Sequence, residues 1–160
     1  MSKPLIVISS RTGNTMAVGH AICDALPHAE LVSPAELPAD LTDYNPVLLG
    51  FWRNNDDAPE EMFEVATHLH DKTIGCFATM AGDPDEDEAR HWMQDTCARL
   101  VAVGEGNRLS ETFLCRGRMD PKTVEQMTKL LATEPSRTHP DRLDLARAAE
   151  LFRGAFGMNW

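Results

Sequence analysis

Five short, largely apolar runs, at 5–8, 29–32, 47–51, 73–79 and 112–115, recur along the chain with amphipathic stretches between them. A strand that is apolar at nearly every position is buried on both faces, which demands parallel pairing with helices above and below the sheet. The spacing predicts helices over 14–26, ended by Pro27, over 59–70 through Met62, Val65, Ala66 and Leu69, and over 85–101. Two more are expected over 121–132 and from about 141 to 156, with 133–140 as a proline-bearing loop between them. Tyr44-Asn45-Pro46 launches the third strand, and the run at 29–32 reads as a short edge strand. Strands alternating with crossover helices give an α/β fold: a three-layer, doubly wound, five-stranded parallel sheet, here as one domain over 1–160. In such a sheet the loops at the strand carboxyl ends, around the switch point, form the ligand crevice.

The loop that leaves the first strand is the most specific of these. Ser9-Ser10-Arg11-Thr12-Gly13-Asn14-Thr15 follows Leu5-Ile6-Val7-Ile8 directly and opens the first helix. Ser and Thr hydroxyls donate to phosphate oxygens, Gly13 lets the backbone approach closely, and the N–H groups of the helix start point at the anion. No Lys precedes the final Thr, as a P-loop needs, and no paired glycines make a dinucleotide fingerprint. The competing reading is a polar turn with an ordinary helix cap. Arg11 either adds an ion pair to a bound phosphate or points outward.

Charge and cysteine usage narrow the function classes. A net charge of −10 argues against nucleic acid and anionic membrane as partners and suits docking on a basic surface. No apolar run approaches the length that crosses a bilayer, and a soluble, cytoplasmic protein is expected. Cys23, Cys76, Cys97 and Cys115 are widely spaced without a Cys-x-x-Cys pair, which predicts reduced, buried thiols rather than disulfides, metal ligands or a nucleophile. Asp83-Pro84-Asp85-Glu86-Asp87-Glu88 reads as a cap, a proline in the first helical turn and carboxylates favoured by the helix dipole, not as a metal site. His68 and His70, two apart on a predicted helix, face different ways and do not chelate together. No metal site and no catalytic triad is expected.

Ser-x-Thr-Gly-Asn-Thr at the end of the first strand resembles the FMN phosphate loop of flavodoxins, and two further loops extend the likeness. Phe51-Trp52-Arg53-Asn54-Asn55-Asp56-Asp57 is similar to the family's strand-x-Trp-Gly-Asp-Asp, with Trp52 at the stacking tryptophan, and Ala78-Thr79-Met80-Ala81-Gly82-Asp83 follows the fourth strand. The resemblance covers at least the first 115 residues and implies the strand order 2-1-3-4-5, FMN as cofactor and electron transfer as the role. It carries over Ser10, Arg11, Thr12, Gly13, Asn14 and Thr15 to the phosphate, Phe51, Trp52, Arg53 and Asn54 to the ring, and Thr79 with the backbone of Met80, Ala81 and Gly82 to hydrogen bonds with the flavin carbonyls. Trp52 either stacks on the isoalloxazine or closes the strand end as core. Met80 either covers the second face, where flavodoxins commonly have an aromatic, or is core filler. Arg53 stands where many flavodoxins have glycine. A side chain there opposes positive φ by about 1–2 kcal/mol, which implies weaker stabilisation of one-electron-reduced flavin. Its guanidinium either approaches the flavin pyrimidine edge, favouring two-electron reduction, or turns to solvent among Asp56 and Asp57.

Residues 111–121, with Thr138-His139-Pro140-Asp141, resemble a subgroup of small flavodoxin-family proteins of anaerobic and gut bacteria, some of which accompany bilirubin-reducing enzymes. Cys115 to Arg118 either border the crevice or serve the surface. The expected function is an FMN-binding electron carrier that passes reducing equivalents to a redox partner with a basic docking surface. The docking residues would be Asp56, Asp57, Glu60, Glu61 and Asp83 to Glu88. The alternatives are an FMN-dependent oxidoreductase acting directly on a quinone or tetrapyrrole, and a module of the same fold that has lost FMN.

Overall fold

The computed structural model describes residues 2–9, 13–53, 57–117 and 140–156. In chain order the elements are β1 (Lys3–Ser9), α1 (Asn14–Ala25), β2 (Glu30–Val32), a 3-10 turn (Pro34–Glu36), β3 (Tyr44–Trp52) and α2 (Glu60–Ala66). They continue through β4 (Thr73–Met80), α3 (Asp87–Val103), β5 (Arg108–Arg116) and α4 (Arg142–Phe156). All five strands pair in parallel in the order β2-β1-β3-β4-β5, so the chain reverses its direction across the sheet between β1 and β3. The doubly wound sheet expected from the apolar runs is the fold observed.

Strand alternation divides the core in two. Leu5, Val7, Leu49, Phe51, Ile74 and Cys76 pack with Met62, Trp92, Met93 and Leu100 under α2 and α3. Ile6, Ile8, Leu48 and Phe77 pack with Val18, Ile22, Phe152 and Phe156 under α1 and α4. Neighbours along one strand thus serve opposite layers, which is why these strands read as continuous apolar runs.

Several boundaries differ from the sequence expectation. β5 begins at Arg108 rather than 112, because an edge strand keeps polar residues on its outer positions and so shows no apolar signal there. β3 begins at Tyr44, and the extra residue at Asn45-Pro46 is absorbed by a register shift against Lys3 and Leu5 of β1. α2 stops at Ala66, four residues early. The chain tightens into turns there, with His68 N–H bonded to Val65 O and the Thr67 hydroxyl to Glu64 O. His68 and His70 therefore lie beyond the helix, and His70 Nδ1 accepts the Glu105 N–H at 3.2 Å. α3 starts at Asp87, so Pro84 sits in the preceding turn, held by Asp83 Oδ1 accepting the Asp85 N–H, rather than in the first helical turn. α4 opens on a reciprocal cap, Asp141 Oδ1 to Asp144 N–H and Asp144 Oδ2 to Asp141 N–H, both 2.9 Å. The helix expected over 121–132 and its following loop lie outside the described residues.

All four cysteines are free thiols; Cys76, Cys97 and Cys115 are buried and Cys23 is half-buried. Hydrogen bonding to Cys97 and burial push the Cys76 thiol well above its ordinary value. Among the described residues, no helix is long and apolar enough to cross a membrane.

Candidate functional site

The carboxyl ends of β1, β3, β4 and β5 come together beside the start of α1. At β1 the chain leaves the sheet through Ser9, whose hydroxyl donates to the Glu61 carboxylate on α2, so that Ser9 ties two elements together. Ser10, Arg11 and Thr12 fall outside the described residues. Gly13 follows as the N-cap of α1 with φ +83°, a backbone state that favours glycine, and it brings no side chain to cover the first-turn N–H groups. Asn14 and Thr15 are buried immediately behind it. The Thr15 and Thr79 hydroxyls meet at 2.9 Å, bolting the start of α1 to the end of β4.

Trp52 ends β3 on the α1 side of the sheet, and its ring reaches across the end of β4 to Gly117. A Cβ built on Gly117 would stand 2.3 Å from Trp52 Cζ3 and 2.9 Å from Asn14 Nδ2. The missing side chain is therefore what admits the indole and the Asn14 amide to one place. Gly117 is itself fixed, its N–H donating to Met80 O at 2.7 Å. Phe51 points the other way. It is fully buried edge-on to Trp92, centroids 6.1 Å apart, so its side chain belongs to the core.

Arg53 does not turn to solvent. Its N–H donates to Thr79 O at 2.9 Å, and its guanidinium lies 4.7 Å over the centre of the Trp92 ring while its two terminal nitrogens grip the Glu88 carboxylate. The side chain is 11% exposed. It fastens the loop after β3 to α3, and the Arg53 hydrogen bond holds the Glu88 carboxyl below the usual carboxylate range. Asp57 is held separately by Arg99, with Nη2 to Oδ1 at 3.0 Å. Met80 is buried, and its methyl group would lie 3.4 Å from a Cβ on Gly82, so it folds back over its own loop. Ala81 is half-buried and Gly82 exposed; Asn54 lies outside the described residues.

The structure thus brings Gly13, Asn14, Thr15, Trp52 and Thr79 together and sends the side chains of Phe51 and Arg53 into the α3 layer. Gly117 is the member that the motifs did not single out. Its one signal was position, as the small residue within the Cys-Arg-Gly-Arg run at the end of the last strand. Trp92, the seat of Arg53, carried no signal beyond helical core spacing. A cavity of 570 Å³ lies between the 3-10 turn and α2, lined by Pro34, Leu37, Glu61, Glu64 and His68. The donor set fits FMN. A glycine-started helix and two buried polar side chains suit a phosphate, and an indole at the switch point suits a flat ring.

A parallel sheet ordered 2-1-3-4-5, with its loops gathered at the switch point between the first and third strands, defines the flavodoxin-like class. The chain belongs to the flavodoxin domain family, whose pattern matches residues 5–153. It is 22% identical over 142 residues to the flavodoxin-like domain-containing protein BilS of Clostridioides difficile (strain CD3), covering 86% of this chain and 78% of that one. Among solved structures it is similar to oxidised Flavodoxin 2 from Bacillus cereus, with TM-score 0.63, 17% identity and coverage of 97% and 100% of the two chains. It is also similar to two-electron reduced Megasphaera elsdenii flavodoxin, with TM-score 0.59, 20% identity and coverage of 91% and 97%. A flavoprotein from Lactobacillus acidophilus in complex with FMN matches at TM-score 0.51 and 15% identity, covering 80% of this chain and 99% of that one. At these identities the structural matches establish the fold.

Proposed function

We propose that this chain binds FMN at the carboxyl ends of β1, β3 and β4 and passes reducing equivalents to a partner enzyme. The convergence of Gly13, Asn14, Thr15, Trp52 and Thr79 at the switch point carries this reading. FMN, when bound, supplies one- and two-electron chemistry at its ring, and the protein needs no catalytic side chain of its own. Gly13 to Thr15, with Ser10, Arg11 and Thr12, hold the phosphate at the helix start. Trp52 covers one face of the ring, and the backbone of Met80 to Gly82 lines its polar edge. Thr79 acts through Thr15, keeping the helix start in place.

The partner presents a basic surface. Of the acidic residues around the crevice, Glu61, Asp57, Asp87 and Glu88 are engaged with Ser9, Arg99, Arg90 and Arg53 respectively. Glu60 and Asp85-Glu86 are thus the better candidates for docking, and partner reduction falls as salt rises.

Titration of the purified protein with FMN, followed by absorbance and flavin fluorescence, tests the reading. A saturable yellow complex is expected, with affinity lowered at least tenfold by Thr12→Ala combined with Asn14→Ala. Failure to bind FMN removes the function, and unchanged affinity in the double variant removes the cradle.

One feature favours a second reading. The loop Thr79-Met80-Ala81-Gly82 carries no aromatic residue, which leaves one face of a bound ring open to a planar substrate. On that reading the protein is an FMN-dependent oxidoreductase for a quinone or tetrapyrrole, the latter being the class implied by the likeness of residues 111–121 to companions of bilirubin-reducing enzymes. Turnover of such a substrate by the reduced protein alone distinguishes it from a carrier.

A further inference from the structure

Arg116 is the last residue of β5, and its place in the sheet is fixed on two sides. Its Cα pairs with Met80, the last residue of β4, and the next N–H in the chain, Gly117, donates to Met80 O at 2.7 Å. Cys115 faces the α1 and α4 layer, so Arg116 faces the α3 layer with Met80, at the edge where the loop after β4 begins. Its Nε is buried and has no hydrogen-bond partner among the described residues. A buried donor without an acceptor is costly, more so on a charged group, and such a donor is satisfied when an acceptor arrives from elsewhere. Nearby carboxylates do not fill the place. From the run Asp83 to Glu88, Glu88 pairs with Arg53, Asp87 with Arg90, and Asp83 with its own loop.

We propose that Arg116 is the anion-holding residue of this crevice, positioned to pair with the negative charge that a bound flavin ring gains on two-electron reduction. This rests on the FMN reading and adds the residue that sets the balance between oxidised and reduced cofactor. Bound FMN, on taking up two electrons and one proton from a reductant, would carry one net negative charge on its pyrimidine side. A guanidinium on the residue whose Cα pairs with Met80, where the loop after β4 begins, stabilises that state and not the neutral oxidised one. Arg53, committed to Glu88 and Trp92, is not the residue that does this.

The test uses the FMN-loaded protein, Arg116→Gln and Arg116→Lys, with dithionite as reductant and a reference dye reporting the two-electron midpoint. Oxidised FMN should bind Arg116→Gln within about twofold of the parent. Its reduced form should bind about tenfold more weakly, which lowers the midpoint by about 30 mV for a two-electron couple. Arg116→Lys, which keeps the charge, should recover most of that loss. The parent protein supplies a check that needs no variant. From about pH 5.5 to 7 its midpoint should follow one proton per two electrons, a tenfold change per pH unit. An unchanged midpoint in FMN-loaded Arg116→Gln, or a two-proton slope in the parent, overturns the role of Arg116 while leaving FMN binding intact. A parent protein that takes up no FMN overturns the FMN reading itself, and Arg116 with it.

Discussion

Gly117 shows how much of the site hangs on one absent atom. Its would-be Cβ lies 2.3 Å from Trp52 Cζ3, more than an ångström inside ordinary carbon contact, and its own N–H is pinned to Met80 O. Gly117→Ala must therefore move the indole rather than the strand, at about 1–3 kcal/mol for an overpacked position. FMN affinity should fall about tenfold and tryptophan emission should change; a variant matching the parent in both would show that the seat is irrelevant. The Thr15–Thr79 pair allows a cleaner measurement, because both residues are fully buried. Thr79→Val strands the Thr15 hydroxyl and should cost about 1–3 kcal/mol in urea unfolding, whereas Thr15→Val with Thr79→Val should recover much of it. Additive losses in that cycle would mean that the two hydroxyls do not stabilise each other.

At the level of elements, the loop after β3 is tied to α3 by a cation on an indole as much as by an ion pair. Glu88 is 66% exposed, so solvent screens its pairing with Arg53 and the pair contributes little, while the stacked and nearly buried guanidinium adds up to about 2 kcal/mol. Arg53→Ala should destabilise by about 1–2 kcal/mol and Glu88→Gln by much less, read from denaturant midpoints. Equal losses would shift the weight to the ion pair. This arrangement also marks where the sequence stops being legible. The apolar runs at 5–8, 47–51 and 73–79 declared buried parallel strands because burial on both faces leaves a purely local signature. Gly13, Asn14 and Thr15 could be read because a phosphate loop is contiguous in the chain. Arg53 could not, since its partners Glu88 and Trp92 lie 35 and 39 residues further along the chain, on α3, and only the tertiary fold brings them together. The first half of β5 was hidden for a related reason: at the sheet edge its residues are chosen for solvent as much as for strand geometry.

For the molecule as a whole, ionisation bounds stability on both sides. Glu30 and Glu88 are held below the ordinary carboxylate range by hydrogen bonds from Lys3 and Arg53, so what they contribute is present above that range and lost as pH falls through their lowered values. The alkaline side rests on the core. Burial first, then the charges of Asp144 and Asp141 across the β5–α4 contact, push the Cys115 thiol up to about 12 from an ordinary 9.0. Between those values the unfolded chain gives up the thiol proton while the folded chain keeps it, so stability falls as pH rises, by up to about 1.4 kcal/mol per pH unit from this group. Cys76, raised in the same direction, adds a loss of the same sign. Cys115→Ala removes one contribution and leaves the other. Its unfolding free energy should therefore decline less steeply than the parent's between pH 9 and 12, by about 1.4 kcal/mol per unit at most, even if the variant is less stable at neutral pH. Parallel pH profiles for the two proteins would mean that the thiol meets solvent in the folded state, and that α4 does not close over β5 as tightly as Phe152 and Phe156 indicate.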